Sequence, residues 1–109
     1  MSKPTDLVQG TLDLLILKTI ALEPLHGWAV AQRIRQMSRQ TLRVGPGALH
    51  PALHKLEHNG WITSGWSVSE NGRRAKYYKL TGAGRKVLDR EAARWERLSA
   101  GISRIVRAV

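Results

Sequence analysis

GPGALHPALHKLEHNGW, residues 45–61, contains three histidines, His50, His54 and His58, each four residues from the next. On a helix that spacing stacks all three on one face. With Leu49 at the origin of a helical wheel, Ala52, Leu53 and Leu56 fall within about 60° of it, while the histidines fall at about 100°, 140° and 180°. The leucine stripe is the core face. The histidines point away from it, flanked by Pro51 and Lys55. Gly45-Pro46-Gly47 breaks the chain ahead of this helix and Gly60 supplies a C-cap, which predicts a helix over about 47–58. Pro51 fits such a helix only if it lies within the first turn.

An outward histidine face has several readings. A zinc site needs three or four converging ligands. His50 and His54 can share an ion, but His58 stands two turns away, about 12 Å by helical rise. Cysteine is absent from the chain, and no HExxH motif completes a site, so no metal and no cofactor are expected. Catalysis finds no serine, acid or cysteine placed by the sequence against the histidines. A recognition helix is the third reading, because imidazole donates or accepts at a base edge or a phosphate. A merely solvated face is the plain alternative.

The charge balance favours a polyanionic partner. Eighteen Lys and Arg against eight acids give the 109-residue chain a net charge of +10, and residues 73–107 hold eleven of those cations with only three acids. A small domain this basic most often meets a polyanion, with solubility alone as the plain alternative. The longest apolar run, LDLLILKTIALEPL, is broken by Asp13, Lys18 and Glu23 and is too short to span a bilayer. With no signal-peptide flanks and no cysteine, the expected location is the cytoplasm.

The remaining elements frame the histidine helix. Residues 7–22 predict a first helix, in which Leu7, Leu14, Leu15, Leu17 and Leu22 spread over a wide apolar surface, ended by Pro24. Residues 26–38 predict a second, with Trp28, Val30, Ile34 and Met37 facing inward. A short extended piece, TLRV, follows. Beyond the histidine helix, Asn71-Gly72 between two β-favouring runs signals a hairpin with a two-residue type I′ turn, which sets Trp66 opposite Tyr77. Tyr78 and Leu80 are expected under this wing. Thr81 caps a last helix over about 82–107. Two helices, a turn, a third helix with an outward polar face and a basic hairpin describe a winged helix-turn-helix.

In the last helix Leu88, Glu91, Trp95, Leu98, Ile102, Ile105 and Val109 step by alternating threes and fours, a heptad seam with one polar break. Arg90, Arg94, Arg97, Arg104 and Arg107 occupy the other face. So narrow a seam on a terminal helix predicts a partner chain, and a two-fold dimer sets two recognition helices about one DNA turn apart. The fold class expected is mainly α with a small β-hairpin: a winged helix-turn-helix over residues 1–81 and a long dimerisation helix over 82–109, packed on the same domain.

LHGW, GALHPALHKLEHNGWITSGW and ENGRRAKYYKLTGAGRKVL together resemble the PadR family of bacterial transcriptional regulators, over about residues 7–105. The similarity is greatest to short members with one C-terminal helix, of a branch abundant in acidobacteria. The resemblance implies a homodimeric winged-helix repressor that binds double-stranded DNA at an inverted repeat and is released by a hydrophobic or aromatic small molecule. The family usually carries Ser or Thr where this chain has Ala48, and Tyr where it has His50, so one backbone-contacting hydroxyl is missing and His50 stands in place of another. The candidate DNA-binding residues are Arg43, Gly47, Ala48, His50, Pro51, His54, Lys55, Asn71, Arg73, Arg74 and Lys76. Leu88, Trp95, Leu98, Ile102 and Ile105 are the candidate dimer and effector residues. The resemblance implies an effector near Trp95, whereas its heptad spacing alone reads as packing in the dimer core. A basic winged-helix module that binds protein or RNA without operator specificity is the competing function.

Overall fold

Pro24 stops the first helix, and the two residues after it form a strand. In the computed structural model, which describes residues 4–109 and the side chains from residue 10 onward, the order is α1 (Pro4–Leu22), β1 (Leu25–His26), α2 (Gly27–Met37), α3 (Pro46–His58), β2 (Ile62–Val68), β3 (Arg74–Leu80) and α4 (Gly82–Val106). The sheet is antiparallel throughout, in the order β1-β3-β2. Leu12, Ile16, Leu17 and Ile20 of α1, Val30 and Ile34 of α2, the leucine stripe of α3, Ile62 of β2, and Val87 and Leu88 of α4 meet in one core. The molecule measures 56 × 29 × 24 Å, because α4 runs on past that core.

Several expectations are corrected. The first helix starts at Pro4 rather than residue 7; Leu7 lies outside the described side chains. Leu22, expected inward, is exposed at the helix end. The TLRV piece, residues 41–44, is not a strand. It pairs with no strand of the sheet, whose order is β1-β3-β2, and an unpaired extended segment leaves its amides to solvent. Leu25 is buried as β1 pairs with Tyr78 of β3, so the strand expected after α2 lies before it. On α2, Val30 and Ile34 are buried but Trp28 is 69 % exposed. It precedes Val30 by two residues, about 200° around the helix, which puts it on the opposite face. Met37 shares the angle of Val30 but sits at the last residue of α2 and is also exposed.

Pro51 lies beyond the first turn, since α3 begins at Pro46. It has no N–H for the Gly47 carbonyl. Gly47 itself is an exposed residue in the first turn of α3.

The hairpin is shifted by one residue from the expected register. Trp66 pairs with Lys76, Gly65 with Tyr77 and Val68 with Arg74. The Gly72 amide donates to the Ser69 carbonyl at 2.9 Å, and the Ser69 amide to the Arg73 carbonyl at 2.7 Å. Gly72 has φ +80°, whereas Asn71 is not among the residues with positive φ. A type I′ turn needs both central residues there, so the loop is a type I turn followed by a left-handed glycine. One residue of slip reverses the face on which each side chain stands relative to the other strand. Trp66 therefore shares a face with Lys76 and Arg74, not with Tyr77.

Caps join the elements into one frame. At the end of α3 the Gly60 amide donates to the Glu57 carbonyl and the Trp61 amide to the Leu56 carbonyl, both at 3.0 Å, with Gly60 at φ +77°. This is a Schellman motif. The Thr81 hydroxyl accepts from the Gly84 amide at 3.0 Å and donates to the Gly60 carbonyl at 2.7 Å, so one residue starts α4 and secures the end of α3. Between α2 and α3 the chain turns through Arg39 and Gln40, with φ of 52° and 69°. Left-handed non-glycine residues cost about 1–2 kcal/mol each. The Gln40 amide bonded to the Arg35 carbonyl at 2.8 Å offsets part of that.

Gly84 is where α4 passes closest to the turn before β2. A methyl group there would stand 1.9 Å from the Trp61 carbonyl oxygen, which is backbone and cannot swing aside. Gly84→Ala should destabilise the fold by about 1–3 kcal/mol, as overpacking does. Urea unfolding measured by circular dichroism is the check.

Candidate nucleic-acid interface

Leu49, Ala52, Leu53 and Leu56 are buried, whereas His50, His54 and His58 are exposed. Gly47, Ala48 and Pro51 are exposed too, so the outward face of α3 runs unbroken along its length. Among the described residues no group of three or more His, Cys, Asp or Glu side chains is placed to hold a metal ion.

The candidate cations divide by what they already touch. Lys55 is paired with Asp13 of α1. Asp13 is mostly buried, and its other carboxylate oxygen has no hydrogen-bond partner among the described residues. Lys76 lies 3.4 Å from Glu57 of α3, and its ammonium sits 5.8 Å from the Tyr78 ring centre. Arg43, Arg73 and Arg74 make no ion pair among the described residues, leaving their charge available to a ligand. Asn71 is occupied locally: its side-chain carbonyl accepts from the Arg73 amide at 3.3 Å and from the Ser69 hydroxyl. It shapes the wing tip.

Glu57 binds the wing to the helix. The Ser64 hydroxyl of β2 donates to one carboxylate oxygen and Lys76 of β3 approaches the other. The Ser64 hydrogen bond, with Lys76 and His54 beside it, outweighs partial burial and holds the Glu57 carboxyl below its ordinary value. The inner face of the wing thus stands against α3, on the side of its histidines.

A groove of about 410 Å³ opens at the N-terminal end of α3, between it and α2. Trp28, Val44 and Leu49 supply apolar lining, while Arg35, Arg43 and His50 supply polar groups. Arg35 is partly engaged through its Nε by the Gln40 side chain. The groove adjoins α3 at Pro46, Leu49 and His50 and the wing adjoins it at Glu57, so basic groups stand near both ends of its outward polar face. The sequence reading missed Trp28 in this surface; its wheel position two residues before Val30 was the available signal.

On α4, Leu88 is buried, but Trp95, Leu98, Ile102 and Ile105 are exposed, with Ile102 46 % and Ile105 77 % accessible. Glu91, the polar break, pairs with Arg90 and Arg94 at 3.6 and 3.9 Å.

The model of the PadR-like family of transcriptional regulators matches residues 16–90. A transcriptional regulator of Mycobacterium tuberculosis is 37 % identical over 84 residues, covering 77 % of this chain and 75 % of that protein. An uncharacterized transposon protein of Streptomyces fradiae is 39 % identical over 89 residues; the match covers 82 % of this chain but only 24 % of the longer protein. A solved transcriptional regulator from Clostridium thermocellum superposes with a TM-score of 0.83 at 26 % identity, covering 94 % of this chain and 99 % of that one.

A carboxyl held below its ordinary 4.5 in the folded protein contributes stability that is present above that pH and fades as the pH falls through the lowered value. Glu57→Gln should therefore be less stable than wild type at neutral pH, and the gap should close on acidification below pH 4.5. Paired urea titrations at pH 7 and at decreasing acid pH measure the gap.

Proposed function

The chain belongs to the PadR-like family of transcriptional regulators, which are DNA-binding proteins rather than enzymes, and from that premise we propose a homodimer that represses a promoter by gripping an inverted repeat. The observation that carries the dimer is the uncovered half of α4. Its first turns bury Val87 and Leu88 in the core, and then the same seam continues into solvent as Trp95, Leu98, Ile102 and Ile105. Four large apolar side chains at heptad spacing on a single helix are what a coiled-coil partner covers. A second copy offers the matching seam by symmetry.

In this reading residues 1–81 form the DNA-binding unit and residues 82–109 the dimerisation helix. Each α3 enters the major groove with His50 and His54 toward base edges, and Gly47, Ala48 and Pro51 bring its backbone close to the phosphates. Arg43 ahead of α3 and Arg73 and Arg74 on the wing neutralise phosphates. Lys55 and Lys76, each already paired with a carboxylate, contribute chiefly by fixing α3 and the wing. A hydrophobic or aromatic effector that wedges beside Trp95 would change the angle between the two α4 helices, hence the spacing of the recognition helices, and release the operator. The work is done in the cytoplasm, where promoter DNA is.

Selection of bound duplexes from a random pool tests the function and its symmetry together. An inverted repeat with half-sites about one helical turn apart is the expected product. Retention of all sequences alike, or of single-stranded RNA in preference, would point to a non-specific basic module instead.

Ile102→Lys tests the seam. It would bring two like charges together at a two-fold interface and should weaken the dimer by ~3 kcal/mol or more. The winged core, which does not include this end of α4, should keep its circular dichroism spectrum. Operator affinity should fall about 100-fold, because one half-site no longer assists the other. Sedimentation of the mutant as a dimer with undiminished affinity would place the interface elsewhere.

A further inference from the structure

We propose that Trp66 is a positioning residue of the DNA interface: its indole carries the Arg74 guanidinium and turns that cation's free edge toward a backbone phosphodiester beside the recognition helix. This rests on the DNA-binding reading above and deepens it. The Arg74 Cζ lies over the Trp66 ring, 5.0 Å from its centre. The contact follows from the hairpin register. Trp66 faces Lys76 across the strands, so Arg74 is its diagonal neighbour on the same face, within reach of two long side chains.

That face is the one bound to α3. Ser64 and Lys76, next along it, both contact Glu57, and beyond them toward the tip stand Trp66 and Arg74. The two cations on this face are therefore held differently. Lys76 is opposed by a carboxylate, which reduces its attraction for phosphate. Arg74 makes no ion pair among the described residues and is held by an uncharged ring, which leaves its full charge to a ligand. A contact with an aromatic ring uses none of the guanidinium's N–H groups as partners of an acceptor, which leaves them for two-pronged contact with a phosphate. A long side chain at a hairpin tip otherwise loses rotamer freedom on binding; the ring removes much of that freedom in advance. Trp66 is 61 % exposed, so it adds little to the core, and its cost of exposure is offset by the cation lying on it.

The experiment uses wild type, Trp66→Ala, Trp66→Phe, Arg74→Ala and the Trp66→Ala/Arg74→Ala double variant. Each is titrated into a fluorescently labelled duplex carrying the selected site, over a series of salt concentrations. Trp66→Ala should weaken binding roughly threefold to tenfold. Arg74→Ala should weaken it at least as much and lower the slope of log affinity against log salt by about 0.9. The double variant should bind about as well as Arg74→Ala alone, because the ring acts through the arginine. Trp66→Phe should recover most of the loss, and thermal unfolding should be unchanged throughout. Native affinity in Trp66→Ala, or losses that simply multiply in the double variant, would overturn the positioning role while leaving DNA binding by the wild type standing. A wild type without affinity for any duplex at low salt would overturn both.

Discussion

Leu53 and Leu56 are 1 % and 0 % exposed, and Leu49 and Ala52 are nearly as well buried beside them. Each buried leucine contributes about 1.5–3 kcal/mol, so α3 cannot roll about its axis without exposing apolar surface and drawing histidine into the core. That constraint sets the direction of His50 and His54. It also orients everything attached to the two ends of α3: the left-handed turn through Arg39 and Gln40 before it and the Schellman cap at Gly60 after it. The outward face is thus a consequence of the inward one. Histidine at these positions adds little to stability, which leaves the positions open to recognition.

Polar contacts then fix what hydrophobic burial leaves adjustable. Packing sets how far α3 is from α1, but the pair between Lys55 and Asp13 restricts sliding along the interface. Glu57 does the same for the wing by engaging one residue from each hairpin strand. Exposed pairs of this kind are worth little individually. Their value lies in holding α3 and the wing at a constant separation, so that, if these elements meet a duplex as proposed, less freedom is lost on binding. Two of the cations in the basic face consequently serve the protein's own geometry, and the unpaired arginines carry the charge outward.

The last helix belongs to two environments. Gly84, Val87 and Leu88 are buried in the core, while Trp95 and the residues beyond it along the seam are exposed. Because α4 is continuous, the seam proposed to meet a second copy and the residues packed in the core lie on one helix. In the dimer proposed above, an effector beside Trp95 would act on that same helix.

Periodicity made the helices, their buried faces and the heptad seam legible in the chain, because a helix repeats every 3.6 residues and neighbours three or four apart share a face. The cap at Thr81 and the stop at Gly60 were legible for the same reason: they are settled within a few residues. The wing tip shows where that ends. Asn71-Gly72 marks a turn, but a type I′ turn and a type I turn with a left-handed glycine differ by one residue of register, and that choice moved Trp66 from Tyr77 to Lys76 and onto Arg74. Strand β1 is two residues that become a strand only because β3 has a free edge beside them. Trp28 looked like core, being large and apolar, and it is at the surface because Val30 and Ile34 already fill the inner face of α2. Lys55 finds Asp13 forty-two residues away, a distance along the chain that no local pattern encodes. What the sequence by itself determined was the order of the helices and the buried stripe of α3; which cations stayed unpaired was decided only when the tertiary structure brought distant carboxylates to Lys55 and Lys76 and an indole to Arg74.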